Sequence, residues 1–361
     1  MSLYRLVKNM DRSRFSNIVV SLTAGGPVRK LIENENVQVI DLGMKRGAIN
    51  PEGILRLTKI IRTNQPDILQ TWLYHADFLG LVATLFSGSA SLVWNIRCAR
   101  MDPEDYSKTL SIIIRFLARF SRRPVAVVVN SEAGKKEHEK MGYNPKRWEL
   151  IHNGLDTETF KPDQSTRKAF RKELGISDKT ILIGHTARFH PMKDHETFIL
   201  VAAQIMVNHP SARFLMVGGG VDETNQELKN SIEEHGLADK MFLLGERSDM
   251  AIIASAFDIF VSSSAYGEGF SNSVGEAMAC GVPCVVTDVG DSAMIVGKTG
   301  RVTPPRNPEA LAEGCETIIS MSDEERRELG KRARERIKDN FTIRRAIDKY
   351  ETLYESVARA R

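Results

Sequence analysis

Short runs of aliphatic and β-branched residues alternate with amphipathic stretches along almost the whole chain. In the first half the apolar runs fall at residues 17–21, 37–41, 67–71, 91–96 and 125–129, and each predicts a strand. Between them, residues 51–63 and 132–141 carry apolar positions at helical spacing. Strands of this length separated by helices indicate βαβ units and a parallel sheet. The pattern lapses over residues 151–162, IHNGLDTETFKP, where Asn-Gly and Pro occur without apolar periodicity, and this stretch reads as a linker. A second series follows, with strands at 180–186, 212–217, 241–243, 258–262 and 283–287. Two such series predict an α/β protein of two Rossmann-like domains with a cleft between them, and ligands at the carboxyl ends of the strands. The tail from residue 322 to 361 is helical and highly charged, opened by a capping box of Ser322 and Glu325.

The opening residues, SLYRLVKNM, already read as an amphipathic helix with Leu3, Leu6 and Val7 on one face. A Rossmann-like domain normally opens with a strand and a glycine-rich turn, and neither precedes this helix.

Composition supports this outline. A chain of 361 residues, 42% apolar and 27% charged, is long enough for two soluble cores. No apolar run reaches the roughly 18 residues that span a bilayer. The first residues lack the apolar core of a signal peptide, which points to the cytoplasm. Four cysteines stand at 98, 280, 284 and 315, without a second Cys or His pair at zinc-site spacing. They read as buried, reduced thiols. A net charge of +4 fits an anionic ligand or membrane surface. It is too small to argue for nucleic acid, and no nucleic-acid-binding motif occurs.

Four pieces of the second half carry chemistry. HTARFHPMK, residues 185–193, directly follows a predicted strand. Arg188 and Lys193 would stand at that strand's carboxyl end, where two cations suit a diphosphate. Solvated surface cations are the alternative. The strand FLMVGGG ends in Gly218, which allows close approach of backbone or ligand but equally suits a simple turn. GEGFSNSVGE, residues 267–276, sets Glu268 and Glu276 on either side of a loop that opens a helix at 272–280. Backbone N–H groups at a helix start form a phosphate site. Glu276, one turn in, can accept hydrogen bonds from ribose hydroxyls, and Glu268 stands near where a sugar would lie. The alternative is two ordinary solvated acids. Gly281 then reads as a helix stop, and Pro283 begins a buried strand. In the first half, His75 in TWLYHADFLG follows the strand at 67–71, where a capping or core role is the alternative to a site role.

In order and spacing these segments resemble glycosyltransferase family 4, of the GT-B fold, over nearly the whole chain. Residues 268–276 match the family's E-x7-E motif, followed by AMACGVPCVVTDVG. HTARFHPMKDH matches its G-R-x4-K segment, with Thr186-Ala187 where glycine or serine often precedes the Arg. VVNSEAGKKEHEKMGY, IHNGLD and TGRVTPP match the last helix of the first domain, the crossing linker and the segment closing the donor site.

The resemblance implies a retaining hexosyltransferase that uses a nucleotide-diphosphate sugar, UDP by family frequency, without metal or other cofactor. It implies an acceptor-binding domain over residues 1–152, a donor-binding domain over 153–340 and a terminal helix, 341–361, crossing back to the first domain. Arg188 and Lys193 would bind the diphosphate and Glu276 the ribose. Glu268, with Gly269, Phe270, Ser271 and Asn272, would contact the sugar, and His75 would approach its reacting carbon. Gly218 would line the donor site. Family members begin with a strand and a G-G-x-E turn. Their absence here suggests a start at a downstream Met, and a chain extended by roughly 15–20 residues would then be more active or stable.

Acceptor choice is expected in the first domain. Residues 107–123, SKTLSIIIRFLARFSRR, could lie on an anionic membrane as a basic amphipathic helix, or pack as a buried helix with exposed arginines. The membrane reading would imply a lipid-linked glycan acceptor, surface-polysaccharide or lipopolysaccharide assembly, and a place at the inner face of the cytoplasmic membrane. The competing functions are a GT-B sugar-nucleotide epimerase and a catalytically impaired nucleotide-sugar-binding protein.

Overall fold

The computed structural model describes residues 1–359 except Arg46, Ala48, Ser89 and residues 100–106. The chain divides into two compact units, one of residues 1–154 with 343–361, the other of residues 155–342.

In the first unit, helix α1 (Ser2–Asn9) leads to β1 (Ile18–Ser21), α2 (Pro27–Glu33), β2 (Gln38–Asp41), α3 (Pro51–Asn64), β3 (Ile68–Gln70), α4 (Tyr74–Ser87), β4 (Ser91–Ile96), α5 (Lys108–Phe120), β5 (Ala126–Val129), α6 (Glu132–Lys140) and β6 (Trp148–Leu150). All pairings are parallel, in two sheets of order β1-β2 and β3-β4-β5-β6. Burial explains the central strands: Val93 and Trp94 of β4 and Val127 and Val128 of β5 are wholly enclosed.

The second unit continues with α7 (Gln164–Glu173), β7 (Leu182–Thr186), α8 (His195–Asn208), β8 (Arg213–Val217), α9 (Gln226–Glu234), β9 (Met241–Leu243), α10 (Met250–Ala256), β10 (Ile259–Ser262), α11 (Asn272–Ala279), β11 (Cys284–Thr287), α12 (Ser292–Val296), β12 (Gly300–Thr303), α13 (Pro308–Ile319) and α14 (Asp323–Asn340). Its sheet is parallel, in the order β12-β11-β10-β7-β8-β9. Alternate residues feed two cores. Leu182, Leu215, Phe260 and Val286 face one, while Ile183, Phe214, Val261 and Val285 face the other. Strand order reverses between β7 and β10, and a ligand crevice in such a sheet opens beyond the carboxyl ends at that point.

The last helix, α15 (Ile343–Arg359), lies in the first unit. There Ile347, Tyr350, Leu353 and Tyr354 bury against Val93, Val128 and Ile151. The Tyr350 hydroxyl accepts from Asn95 Nδ2 at 2.8 Å. The Ser322–Glu325 capping box forms in full.

Two strands lay outside the sequence expectation, β6 and β12, both at sheet edges. The stretch TGRVTPP therefore supplies a strand paired with β11. In α5 the apolar residues do not share one exposed face. Ile113, Ile114 and Leu117 are buried in the core, whereas Ile112 and Phe116 are exposed beside Arg115 and Arg119. Cys280, Cys284 and Cys315 are free and buried, and burial pushes the Cys280 thiol up to about 12.

Candidate functional site

Two segments leave the sheet of the second unit at its switch point. The first follows β7. Ala187 N–H donates to Val217 O at 3.0 Å and Phe189 N–H to Gly219 O at 2.8 Å, so the segment carrying Arg188 is laced to the end of β8. Gly218 is required there. A Cβ on it would stand 2.1 Å from Ala187 O and 2.8 Å from Arg188 N. Arg188 itself is exposed.

The chain then makes a single 3-10 turn, Pro191–Lys193, capped by His190, whose ring nitrogen accepts from Met192 N–H at 3.2 Å. Asp194 follows in the left-handed region at φ 52°. Its carboxylate caps α8 by accepting from Thr197 N–H at 3.2 Å. Ser263 Oγ donates to Lys193 O at 3.0 Å and Asp194 O at 2.9 Å. These bonds fix Lys193 at the mouth of β10.

The second segment follows β10 and carries Glu268, a buried carboxylate. Its Oε1 accepts from Lys193 Nζ in a direct ion pair and from Ser264 Oγ at 2.7 Å. Ser264 is in turn held by Thr287, whose hydroxyl donates to Ser264 O at 2.7 Å. Gly290 presses on the same loop at φ +64°, and a Cβ on it would stand 2.4 Å from Glu268 O and 2.7 Å from Gly269 O. Asp291 N–H donates to Gly269 O at 3.0 Å.

From there Phe270 turns into the core and packs edge-on against Phe341, with ring centroids 5.3 Å apart. Ser271 is the N-cap of α11, yet its side chain makes no capping hydrogen bond. The first-turn N–H groups of this helix are thus not closed off by their cap, and with the helix dipole they favour an anion. Asn272 is exposed at the helix start, and Glu276 stands half-buried one turn in. Gly275 allows close packing, since a Cβ there would meet Leu155 at 2.3 Å.

The structure therefore brings Lys193 onto Glu268 and sets Arg188 against Gly218. It places Gly269, Phe270, Ser271, Asn272 and Glu276 along the loop and helix that continue from Glu268. His75 belongs to the first unit, as the second residue of α4. It is half-buried, and its Nε2 is enclosed without a hydrogen-bond partner among the described residues. Sequence reasoning missed Ser263, Ser264, Thr287 and Gly290, single small residues whose roles arise only from tertiary contact. It also missed a buried pair behind Lys193, His185 and His195, with ring centroids 4.9 Å apart. Burial, and secondarily the Lys193 charge, pull His195 down to about 4. Burial and the neighbouring His195 hold His185 well below the ordinary histidine range. Both rings are neutral near pH 7, so they add no positive charge to that of Lys193 beside Glu268.

Comparison with known families accounts for this arrangement. Residues 1–159 match the model "Glycosyltransferase Family 4" and residues 166–336 match "Glycosyl transferases group 1". The chain belongs to glycosyltransferase family 4. Among curated relatives of this family 4 chain is N-acetyl-alpha-D-glucosaminyl L-malate synthase of Bacillus anthracis, 29% identical over 255 residues, covering 70% of this chain and 64% of the relative. Another is UDP-Gal:alpha-D-GlcNAc-diphosphoundecaprenol alpha-1,3-galactosyltransferase of Escherichia coli, 24% identical over 310 residues, covering 84% and 79% respectively. A third, the putative glycosyltransferase EpsF of Bacillus subtilis, is matched over only 48% of its length. Among solved structures, Anabaena HepE in complex with UDP superposes with a TM-score of 0.84 at 23% identity, over 98% of this chain and 95% of that one. The fold is GT-B, with two Rossmann-like domains.

Proposed function

We propose that this family 4 chain transfers a hexose, with retention and without a metal ion, from a nucleotide-diphosphate sugar to a glycan or lipid-linked acceptor. The single observation that carries this is the cluster at the switch point of the second unit: Lys193 paired to buried Glu268, beside a helix start not closed by its cap. UDP is the favoured nucleotide, supported by UDP in the HepE complex and a UDP-sugar in the name of the E. coli relative.

In this reading the diphosphate lies between Arg188, Lys193 and the N-terminus of α11, and Glu276 accepts from the ribose hydroxyls. The Lys193 ammonium has three N–H donors, so it can keep Glu268 and still grip a phosphate oxygen. Among the described residues Glu268 makes both of these contacts through Oε1, which leaves Oε2 for a sugar hydroxyl. As the bond from the anomeric carbon to the phosphate oxygen breaks, its electron pair passes to the diphosphate and the sugar becomes oxocarbenium-like. Arg188, Lys193 and the helix dipole stabilise that developing charge. The acceptor oxygen then bonds to the anomeric carbon on the same face, and its proton passes to the departing phosphate oxygen.

The test is transfer from an α-linked UDP-sugar to an isoprenoid diphosphate-linked acceptor, with the product's anomeric configuration read by NMR in the presence of a chelator. An α-linked product formed at an unchanged rate supports the proposal. A β-linked product, or loss of turnover on chelation, contradicts it.

We also propose that α5 meets an anionic membrane through Ile112 and Phe116, flanked by Arg115, Arg119, Arg122 and Arg123, so that transfer to a lipid-linked acceptor takes place at the inner face of the cytoplasmic membrane. Among the described residues no helix is long and apolar enough to cross a membrane. Ile112→Asp with Phe116→Asp is expected to weaken cosedimentation with phosphatidylglycerol vesicles about tenfold or more, since each buried apolar side chain contributes about 1.5–3 kcal/mol. Equal cosedimentation of variant and parent would remove this contact from the account.

A further inference from the structure

A cavity in the second unit, of about 570 Å³, opens at the opposite end of its sheet from Lys193 and Glu268. Asp258 and Pro283 line it, and these residues directly precede β10 and β11. Its apolar floor is Phe257, Val282 and Pro283. Volumes of this order hold nucleotide- and sugar-phosphate-sized molecules.

The charge around it is uneven: six Arg and Lys side chains line it against four carboxylates, Asp163, Asp178, Asp258 and Asp323. Asp258 is held by Arg167 at 2.6 Å and by Arg171 at 3.1 Å. Asp323 is held by Arg326. Asp163 is occupied in capping α7, accepting from Ser165 and Thr166 N–H groups, both at 3.0 Å. Lys168 of α7 and Arg327 and Lys331 of α14 also line the cavity, and among the described residues no carboxylate pairs with any of them. Arg327, Lys331 and Arg334 recur at i, i+4 and i+7, which puts them on one face of α14. The inner end of that stripe is fixed, because Arg334 donates to the carbonyls of Phe160 at 2.8 Å, Thr157 at 3.0 Å and Ala279. Like charges at i, i+4 repel in a free helix, and a bound anion would relieve that repulsion. Arg and Lys converging on an apolar-floored pocket match a phosphoryl group joined to a less polar body.

We propose that this pocket binds a phosphorylated small molecule, with Lys168, Arg327 and Lys331 on its phosphoryl oxygens and Phe257 and Pro283 against the rest. It is separate from the donor site and does not depend on how that site is read.

Binding of inorganic pyrophosphate, measured by calorimetry on the full chain carrying Arg188→Ala and Lys193→Ala, isolates this pocket from the donor site. Binding is expected to persist in that background. It is expected to fall by about tenfold or more when Lys168→Ala, Arg327→Ala and Lys331→Ala are added, as for lost charged hydrogen bonds. The swap Lys168→Arg, Arg327→Lys, Lys331→Arg is expected to retain it. All three residues are exposed, so the fold should persist, and circular dichroism checks this. Three results would overturn the proposal: no pyrophosphate binding in the Arg188/Lys193 background; binding indifferent to the triple substitution; or a triple variant that loses cosedimentation with phosphatidylglycerol vesicles while keeping pyrophosphate, which would assign these cations to lipid headgroups.

Discussion

Replacing Lys193 with Met is expected to lower the rate of sugar transfer by about 10²–10³-fold, or about 2.7–4 kcal/mol of transition-state stabilisation. In the proposed mechanism the ammonium stabilises charge that grows on the diphosphate as the bond from the anomeric carbon to the phosphate oxygen breaks, so the loss should fall on kcat more than on donor affinity. It also pairs with Glu268, a buried carboxylate that would be left, among the described residues, with the Ser264 hydroxyl. Removing one partner of a buried charge is unfavourable, so a fall in Tm should accompany the loss. The double variant Lys193→Met, Glu268→Gln separates the two effects. It should recover most of the Tm, because no unpaired charge remains, and none of the rate. Single-turnover transfer and thermal unfolding measure both quantities. A Lys193→Met enzyme with unchanged kcat would remove Lys193 from the chemistry.

The second large effect is expected from a methyl group. Gly218→Ala sets a Cβ 2.1 Å from Ala187 O and 2.8 Å from Arg188 N, and these are backbone atoms that cannot rotate away. The segment bearing Arg188 must shift. A displacement of about 1 Å in a positioning group can cost about 10²-fold in rate, and strained backbone costs about 1–3 kcal/mol. Donor kcat/KM should fall by roughly two orders of magnitude, with KM for the donor raised. The adjacent Gly219 is the control, since a Cβ there meets nothing within 4 Å. Gly219→Ala should be near neutral. Equal behaviour of the two alanine variants in steady-state kinetics would show that the close approach at Gly218 does not position Arg188.

These two cases also mark how much of the molecule is readable from sequence. Central strands announce themselves because they are buried on both faces and must be continuously apolar, as VVV of β5 and FLMV of β8 are. The edge strands β6 and β12 need apolar residues on one face only, and WEL and GRVT carry a charge in mid-strand, so no run betrays them. The helix α5 shows the limit of composition. Its apolar residues were visible, but which of them face the core was not, because that depends on where α4 and the sheet lie. Arg188, Lys193, Glu268 and Glu276 were legible as charged residues at strand ends and at a helix start. The bond between Lys193 and Glu268 was not, since 75 residues separate them and only the strand order β10-β7 brings their loops together. Ser264, Thr287 and Gly290 were silent for the same reason.

The most direct test of the donor site is calorimetric titration of the chain with a panel of nucleotides, nucleotide diphosphates and UDP-sugars, with and without a chelator, in parallel with Glu276→Ala. Selective binding of one nucleoside diphosphate and its sugar, unchanged by chelator and weakened by at least about tenfold in Glu276→Ala as charged hydrogen bonds to the ribose are lost, is the result expected here. Binding that needs a divalent metal, or that Glu276→Ala leaves unaltered, would contradict a metal-independent donor site built on the switch point of the second unit.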